Sequence, residues 1–270
     1  MSRELLVLGG THPNEQFPLD LAENLQRYSL PHVDGMIVNE RARRQRKRFT
    51  DVDMQLSYPG DPNSVLYEER RAAEVLEMAR NGYDMVIDMH SGLPGSKFAD
   101  AGMISYDRVY DSSAGLDPDI FRFLKNVIGV RNIMMSTWSP ISKFVSGLSM
   151  EIDVKSHRAN IGYWRRSLNI LAESDDIGDA TMHDFAFWRL LVGRDIGTRE
   201  QKRRLALPDI MPLLEEPFPR VTAADFGETD PEIANAEVYA FAWGSKNPKY
   251  YGELAVRMSP PPAVQNILPM

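Results

Sequence analysis

The sequence predicts an α/β fold, with a sheet covered by helices on both faces and a small β-rich segment at the C-terminal end. Short apolar runs typical of buried strands alternate with amphipathic stretches typical of helices. The chain has 270 residues, 43% of them hydrophobic, and can bury a large core. After about residue 200 the character of the sequence changes: four prolines lie within residues 208–219, and no long helical pattern follows. These observations predict two domains, 1–204 and 205–270.

The individual elements follow from the same patterns. The first strand is the apolar run at residues 4–8, which two glycines end. The other predicted strands are Gly35–Asn39, Tyr83–Met89, Ala101–Tyr106, Asn132–Ser136, Leu148–Val154, Asn235–Trp243 and Gly252–Ser259. Apolar stripes among charged residues predict helices at Ser64–Arg80, Leu116–Ile128 and Thr181–Val192.

Composition and charge limit the classes of function. The net charge of −7 argues against nucleic acid as a partner. The absence of cysteine excludes disulfides and thiolate metal sites, which leaves any zinc to histidine and carboxylate ligands. The sequence shows neither a secretory signal nor an apolar stretch near the roughly 20 residues that span a bilayer. We expect a cytoplasmic protein that does not enter a membrane. A homo-oligomer is compatible with the sequence.

Two stretches place metal-ligating residues directly after predicted strands. "GGTHPNEQ" has His12 and Glu15 after the first strand, and "YDMVIDMHSG" has Asp88 and His90 at the end of another. Ligands gather at the carboxyl ends of strands in α/β sheets. Two histidines and one glutamate are a ligand set of catalytic zinc sites, and Asp88 is placed to orient one of the ligands. Either pair alone is common by coincidence, so the prediction rests on their conjunction.

A third stretch, "GLSMEIDV", carries Glu151 in the middle of an apolar strand. Burial of an unpartnered charge is costly, so this carboxylate either faces water on an edge strand or has a function. Beside a metal site, it is suited to accept a proton from the attacking water.

These motifs resemble those of the aspartoacylase and succinylglutamate desuccinylase family of zinc amidohydrolases. The similar stretches are "GGTHPNE", "RFTDVDMQ", "DMHSG", "SMEID" and the late "KYYGE". The resemblance implies a zinc carboxypeptidase-like fold, a three-layer α/β/α sandwich around a mixed sheet. It also implies one Zn²⁺ per chain, with the ligands His12, Glu15 and His90.

The resemblance further implies roles for three other residues. Glu151 matches the general acid/base that deprotonates the zinc-activated water and then protonates the leaving amine. Arg48 matches the arginine that polarises the scissile carbonyl and stabilises the oxyanion. Tyr250 matches a tyrosine that the C-terminal domain donates to the substrate, although it could equally be a core or interface aromatic.

The family pattern breaks at Asp53-Met54-Gln55-Leu56, where the family usually has Asp-Leu-Asn-Arg. Gln55 keeps an amide that could contact substrate, but Leu56 replaces the arginine that binds the substrate carboxylate. Either the substrate lacks that carboxylate, or another cation binds it, such as Lys143, Arg158 or one of the basic run at residues 41–48. Decay of the site is a third reading. The basic run could also bind an anion, and we interpret it as a solvated loop that leads to Arg48.

We therefore expect a zinc-dependent amidohydrolase, a deacylase, that acts on the N-acyl amide bond of a small N-acylated amino acid or related amine. One alternative is a carboxypeptidase-like hydrolase acting on a peptide or peptidoglycan fragment. The other is a non-catalytic zinc- or ligand-binding relative.

Overall fold

The computed structural model describes residues 2–92, 97–105, 117–136, 141–174, 176–191, 199–207, 212–243 and 252–270. Within these residues there are eleven strands: β1 Leu5–Gly9, β2 Val33–Ile37, β3 Met85–Ser91, β4 Lys97–Phe98, β5 Ala101–Ser105, β6 Asn132–Ser136, β7 Gly147–Ile152, β8 Ala186–Leu190, β9 Pro217–Thr222, β10 Glu237–Trp243 and β11 Gly252–Met258. They form one mixed sheet in the order β2-β1-β3-β7-β5-β6-β8-β11-β10-β4, with β9 paired to β10.

Helices of the described residues connect and cover these strands. The α-helices are α1 Gln16–Arg27, α2 Glu40–Arg44, α3 Tyr67–Gly82, α4 Pro118–Arg122, α5 Ile161–Glu173, α6 Arg199–Arg204 and α7 Pro262–Gln265. Helix α4 continues directly into a π-helical segment at Phe123–Ile128. Short 3-10 helices lie at Met54–Leu56, Ile141–Lys143, Met182–Asp184 and Ala223–Phe226. None of the helices in the described ranges combines the length and the hydropathy of a membrane-spanning segment.

Alternating residues of β1 explain the three layers. Leu5 and Val7 pack on one side of the sheet in a cluster that includes residues of α1 and α5. Leu6 and Leu8 point to the other side and pack in a cluster with residues of α3. Both faces of the strand are therefore buried, as expected for a parallel strand covered on both sides. This arrangement confirms the predicted three-layer α/β/α fold around a mixed sheet.

Most predicted elements lie where the sequence placed them, within about three residues. The strand Asn132–Ser136 is confirmed at both ends, and the helix predicted from Ser64 begins at Tyr67. Some ends of the predicted ranges, such as Tyr106, Leu116 and Val192, lie outside the described residues.

The helix predicted at Thr181–Val192 is wrong. This stretch forms a 3-10 turn followed by strand β8, which pairs with β6 and β11. Phe187 belongs to one core cluster while Trp188 and Leu190 belong to another, so both faces of the strand are apolar. A strand that is apolar on both faces loses its alternating pattern, and periodicity alone does not distinguish it from a buried helix.

The C-terminal segment is β-rich, as expected. Strand β11 pairs antiparallel with β8, so strands β9–β11 extend the same sheet rather than forming one of their own. They contribute to an additional apolar cluster, which includes Phe218, Val238 and Val256. The boundary between residues 204 and 205 remains a prediction.

Candidate active site

The turn after β1 brings the first two predicted ligands into the site. Gly9 is required because a Cβ there would lie 2.1 Å from the carbonyl oxygen of Pro18 in α1, and Gly10 has a φ of +71°. Strand β1 can therefore approach α1 closely, and the chain turns sharply towards His12 and Glu15. Both side chains are buried, and Glu15 directly precedes the first residue of α1.

The end of β3 delivers the third predicted ligand. Strand β3 lies parallel to β1, so the two strands end at the same edge of the sheet. His90 lies near the last residue of β3 and is 1% exposed. The prediction that the two strand ends converge agrees with this geometry: potential ligand atoms of His12, Glu15 and His90 all lie within 4.8 Å of one another.

Both imidazoles turn the same nitrogen towards Glu15. His12 Nδ1 lies 2.9 Å from Glu15 Oε1, and His90 Nδ1 lies 3.4 Å from Glu15 Oε2. The two Nδ1 atoms and the carboxylate therefore surround one small volume. Two imidazole nitrogens and a carboxylate oxygen are a donor set that suits a divalent transition metal such as zinc.

Each imidazole also contacts an aspartate through its other nitrogen, Nε2. His12 Nε2 lies 2.9 Å from Asp53 Oδ1, and His90 Nε2 lies 3.0 Å from Asp88 Oδ2. A carboxylate that accepts the Nε2–H of a histidine leaves Nδ1 free to bind a metal and fixes the orientation of the ring. Asp88 also accepts a hydrogen bond from the Thr11 hydroxyl at 2.8 Å. The role proposed for Asp88 from the sequence fits this geometry.

Sequence reasoning did not identify the role of Asp53. This residue caps the 3-10 helix at Met54–Leu56, where its Oδ1 accepts the backbone N–H of Gln55 at 3.0 Å. An aspartate two residues before Gln55 could have been recognised as a cap, but its contact with His12 spans 41 residues of sequence. No local pattern indicates a contact over that distance.

The electrostatics of the cluster favour a bound cation. Burial raises the pKa of Glu15, but its hydrogen bonds to His12 and His90 outweigh burial and hold this pKa well below its usual range. Burial also raises the pKa of Asp53, but His12 and the charge of Arg48 lower it to about 2. Burial lowers the pKa of His90, and Asp88 and Glu15 more than compensate, so the His90 pKa is raised. Ionised carboxylates around two imidazoles fit a divalent cation.

Glu151 lies directly beside His90, because the two residues are opposite each other in the register of β3 and β7. Burial raises the pKa of Glu151, and the nearby carboxylates Glu15 and Glu253 raise it further. The charges of His90 and Arg48 lower this pKa, but the raising effects prevail and the pKa is about 8. Strands pair with β7 on both sides, so the edge-strand reading is wrong. The Glu151 side chain is half-buried. A carboxyl group with a pKa near neutrality is suited to general acid/base chemistry.

Arg48 reaches the site from the basic run. Its Nη1 donates to Glu15 Oε1 at 3.3 Å, and its Nε lies 3.5 Å from Asp53 Oδ2. Two other arginines of the run form salt bridges with carboxylates, Arg41 with Asp51 and Arg43 with Glu23. The run leads to Arg48, but residues 41–44 belong to helix α2, so the interpretation of the whole run as a solvated loop is wrong for its first half.

The residues predicted to bind the substrate lie in different environments. Gln55 is buried, and among the described residues its Nε2 has no hydrogen-bond partner, whereas Leu56 is 59% exposed. Lys143 lies with its Nζ 5.9 Å from the centre of the Phe144 ring. Arg158 binds Asp100 and the backbone carbonyls of residues 128 and 129, which gives it a structural role. Tyr250 lies outside the described residues.

Comparison with known proteins agrees with this geometry. A model of the catalytic domain of succinylglutamate desuccinylase and aspartoacylase matches residues 2–117, which include the three predicted ligands and Arg48. The family resemblance is confirmed. The match to this family ends before Glu151. No curated protein sequence matches the chain significantly.

Solved structures similar to this chain include members of the same family. The succinylglutamate desuccinylase from Chromobacterium violaceum is 16% identical with a TM-score of 0.66, and the alignment covers 96% of this chain and 86% of that one. A mutant of murine aminoacylase 3 is 15% identical with a TM-score of 0.56, with 96% of each chain covered. The ectoine utilization protein from Ruegeria pomeroyi is 13% identical with a TM-score of 0.59, with 95% and 85% covered. At these identities the likeness establishes the fold.

Proposed function

We propose that this protein is a zinc-dependent amidohydrolase that cleaves the N-acyl amide bond of a small N-acylated amino acid or related amine. The observation that carries the proposal is the convergence of His12, Glu15 and His90 on one small volume, with Glu151 beside His90. The family match and the deacylases among the similar structures support the same class of reaction.

His12, Glu15 and His90 would hold the zinc ion through Nδ1 of each imidazole and the glutamate carboxylate. When bound, zinc acts as a Lewis acid towards water and towards the scissile carbonyl. Asp53 and Asp88 accept the Nε2–H of the two imidazoles and so keep both Nδ1 atoms directed towards Glu15, where they would hold the ion.

Glu151 moves the proton. Its carboxylate takes a proton from the water whose oxygen adds to the carbonyl carbon, and the protonated carboxyl then donates to the amide nitrogen as the carbon–nitrogen bond breaks. The products are a carboxylic acid and an amine. The raised pKa of Glu151, about 8, suits both transfers, and a cation at the adjacent ligands would lower it further towards neutrality.

Arg48 stabilises the negative charge that develops on the carbonyl oxygen. Its guanidinium contacts the carboxylates of both Glu15 and Asp53, which holds a fixed positive charge at the edge of the metal-ligand group. A donor positioned before the reaction is more effective than one that must reorganise. Glu15 and Asp53 therefore also orient the oxyanion donor.

The substrate differs from N-acetylaspartate and from succinylglutamate, because Leu56 cannot bind a carboxylate as an arginine does. The amide nitrogen of buried Gln55 has no hydrogen-bond partner among the described residues, and we propose that it contacts an acceptor group of the substrate. We propose Tyr250 and Lys143 as further substrate contacts. Efficient cleavage of N-acetylaspartate by the purified protein would contradict altered specificity at Leu56.

The test of the proposed function is the Glu151→Gln variant, screened beside the wild type against N-acyl amino acids and short peptides. The variant should retain its zinc and lose at least about a hundredfold in turnover, because glutamine cannot accept the proton. Glu237→Gln is the matched control, since Glu237 is an exposed glutamate on another strand, β10. Turnover of peptides alone would favour the carboxypeptidase-like alternative. Zinc binding with no turnover on any amide would favour the non-catalytic one.

A further inference from the structure

Asp88 is a buried carboxylate that is held at each of its two oxygens. Its Oδ2 lies 3.0 Å from His90 Nε2, and its Oδ1 accepts the Thr11 hydroxyl at 2.8 Å. Asp88 and Thr11 are fully buried, and His90 is 1% exposed. Within the described residues, these two contacts are the hydrogen bonds of the Asp88 side chain. The orientation of its carboxylate therefore depends on both of them.

The position of Asp88 inside a strand explains why a side chain supplies the second donor. The backbone N–H groups of β3 donate to the strands on either side, so they do not fold back onto the Asp88 carboxylate. Asp53, the aspartate that contacts His12, lies in a turn instead and accepts the backbone N–H of Gln55. At Asp88, the hydroxyl of Thr11 takes the place of such a backbone donor.

A hydrogen bond at each oxygen defines the plane of the Asp88 carboxylate. The last side-chain torsion of an aspartate has a broad energy well, so a carboxylate held at one oxygen can rotate. A fixed plane keeps Oδ2 aligned with Nε2 of His90, and so keeps His90 Nδ1 turned towards Glu15 at 3.4 Å. Loss of the Thr11 hydroxyl would leave Oδ1 buried without a donor, which favours a rearranged carboxylate.

The same contact joins the two strand ends that supply the predicted ligands. Thr11 lies in the turn after β1, whereas Asp88 and His90 belong to β3. In the opposite direction, the backbone N–H of Ser91, the last residue of β3, donates to Glu15 Oε2 at 3.0 Å. Each strand end therefore orients a predicted ligand that the other strand end supplies.

We propose that Thr11 is a positioning residue of the metal centre: its hydroxyl fixes Asp88, and Asp88 fixes the ring of His90. This inference rests on the proposed function for the zinc site, and it assigns a role to a residue that is not itself a ligand. Serine can replace threonine in this role because it also carries a hydroxyl, whereas valine has the shape of threonine without the donor.

The test measures metal binding by the full-length protein and does not use turnover. Competition with a zinc-binding dye gives the zinc affinity, and the visible absorption of Co²⁺-loaded protein reports the geometry of the ligands. Thr11→Val should weaken zinc binding about fivefold and alter the Co²⁺ spectrum, a smaller effect than loss of a direct partner of a ligand. Thr11→Ser should bind zinc within about twofold of the wild type and keep its Co²⁺ spectrum.

Thr181→Val is the matched control. Thr181 also donates its hydroxyl to an aspartate, Asp184, at 3.0 Å, but it lies in the turn before β8 and outside the ligand group. Its substitution should lower the unfolding temperature of the metal-free protein and leave zinc binding unchanged.

A double variant tests whether Thr11 acts through Asp88. Without the carboxylate, the hydroxyl has no group to orient. In the Asp88→Ala background, Thr11→Val should therefore weaken zinc binding by less than about twofold further.

The proposal is overturned if Thr11→Val binds zinc as tightly as Thr11→Ser, or if the losses of Thr11→Val and Asp88→Ala add in the double variant. If Thr11→Val does not fold, Thr11→Ala replaces it, and equal zinc binding by Thr11→Ala and Thr11→Ser overturns the proposal. A wild type that binds neither ion would overturn it together with the zinc site. Zinc binding with the expected order of affinities but no amide hydrolysis would contradict the proposed reaction alone.

Discussion

His90 and Glu151 lie opposite each other across the parallel strands β3 and β7. In the proposed mechanism, one strand thus brings a metal ligand to the site, and its neighbour brings the residue that moves the proton. The backbone hydrogen bonds of the sheet determine this spacing, so it does not depend on a flexible loop. The raised pKa of Glu151 results from burial first, and its proximity to Glu15 and Glu253 contributes.

Asp53→Asn should weaken zinc binding about tenfold to a hundredfold, because a neutral amide oxygen accepts the Nε2–H of His12 more weakly than a carboxylate and holds the ring less firmly. Competition with a zinc-binding dye would measure the change in affinity. Asp61→Asn, in an exposed turn, is the control. Equal zinc affinity in both variants would mean that Asp53 does not orient His12.

Glu68 makes the loop before Asp53 sensitive to pH. Its buried carboxylate accepts the N–H groups of Thr50, Asp51 and Val52 and the amide of Asn39. Burial raises the pKa of Glu68, but these hydrogen bonds outweigh it and place the pKa below its ordinary 4.5. A depressed pKa stabilises the fold above pH 4.5, and the stabilisation is lost as the pH falls through the folded-state pKa.

Glu68→Gln should therefore lower the free energy of unfolding by about 1.5–3 kcal/mol at pH 7, with a smaller difference in acid. Urea unfolding of both proteins at several pH values would measure this. Glu77→Gln, on the exposed side of the same helix, is the control. A difference that does not change between pH 7 and strongly acidic conditions would contradict the role of the ionised carboxylate.

Gly9→Ala should destabilise the fold by about 1–3 kcal/mol, because the added methyl group would overlap the backbone of α1 at Pro18. Gly82→Ala is the matched control, since a Cβ there has no atom within 4 Å. Thermal unfolding of the two variants would separate them. If both kept the stability of the wild type, β1 would not need this close approach to α1.

The sequence predicted the parts of the site that local patterns carry. His12 and Glu15 follow a strand and two glycines, and His90 ends another strand, so their type and position indicated a metal site. Asp53 and Glu68 were not assigned roles, because their contacts join residues distant in sequence. These roles depend on how the loop before Asp53 folds back over the site and over α3.

The prediction of the fold was limited in the same way, because local patterns do not show contacts between distant segments. Alternating strands and helices predicted the three layers, since burial on each face leaves a pattern in the sequence. The stretch at Thr181–Val192 was predicted as a helix because its apolar residues occupy both faces of β8. The sequence also did not show that β11 joins β8, because strand pairing between distant segments has no local signal.

The zinc content of protein purified without added zinc tests the central claim most directly. Wild-type protein should contain about one zinc per chain, and His90→Ala should lose it, because only two of the three ligands remain. His157→Ala, an exposed histidine outside the ligand group, should keep its zinc. A metal-free wild type that cannot be loaded with zinc would contradict the account, because His12, Glu15 and His90 would then not form a metal centre.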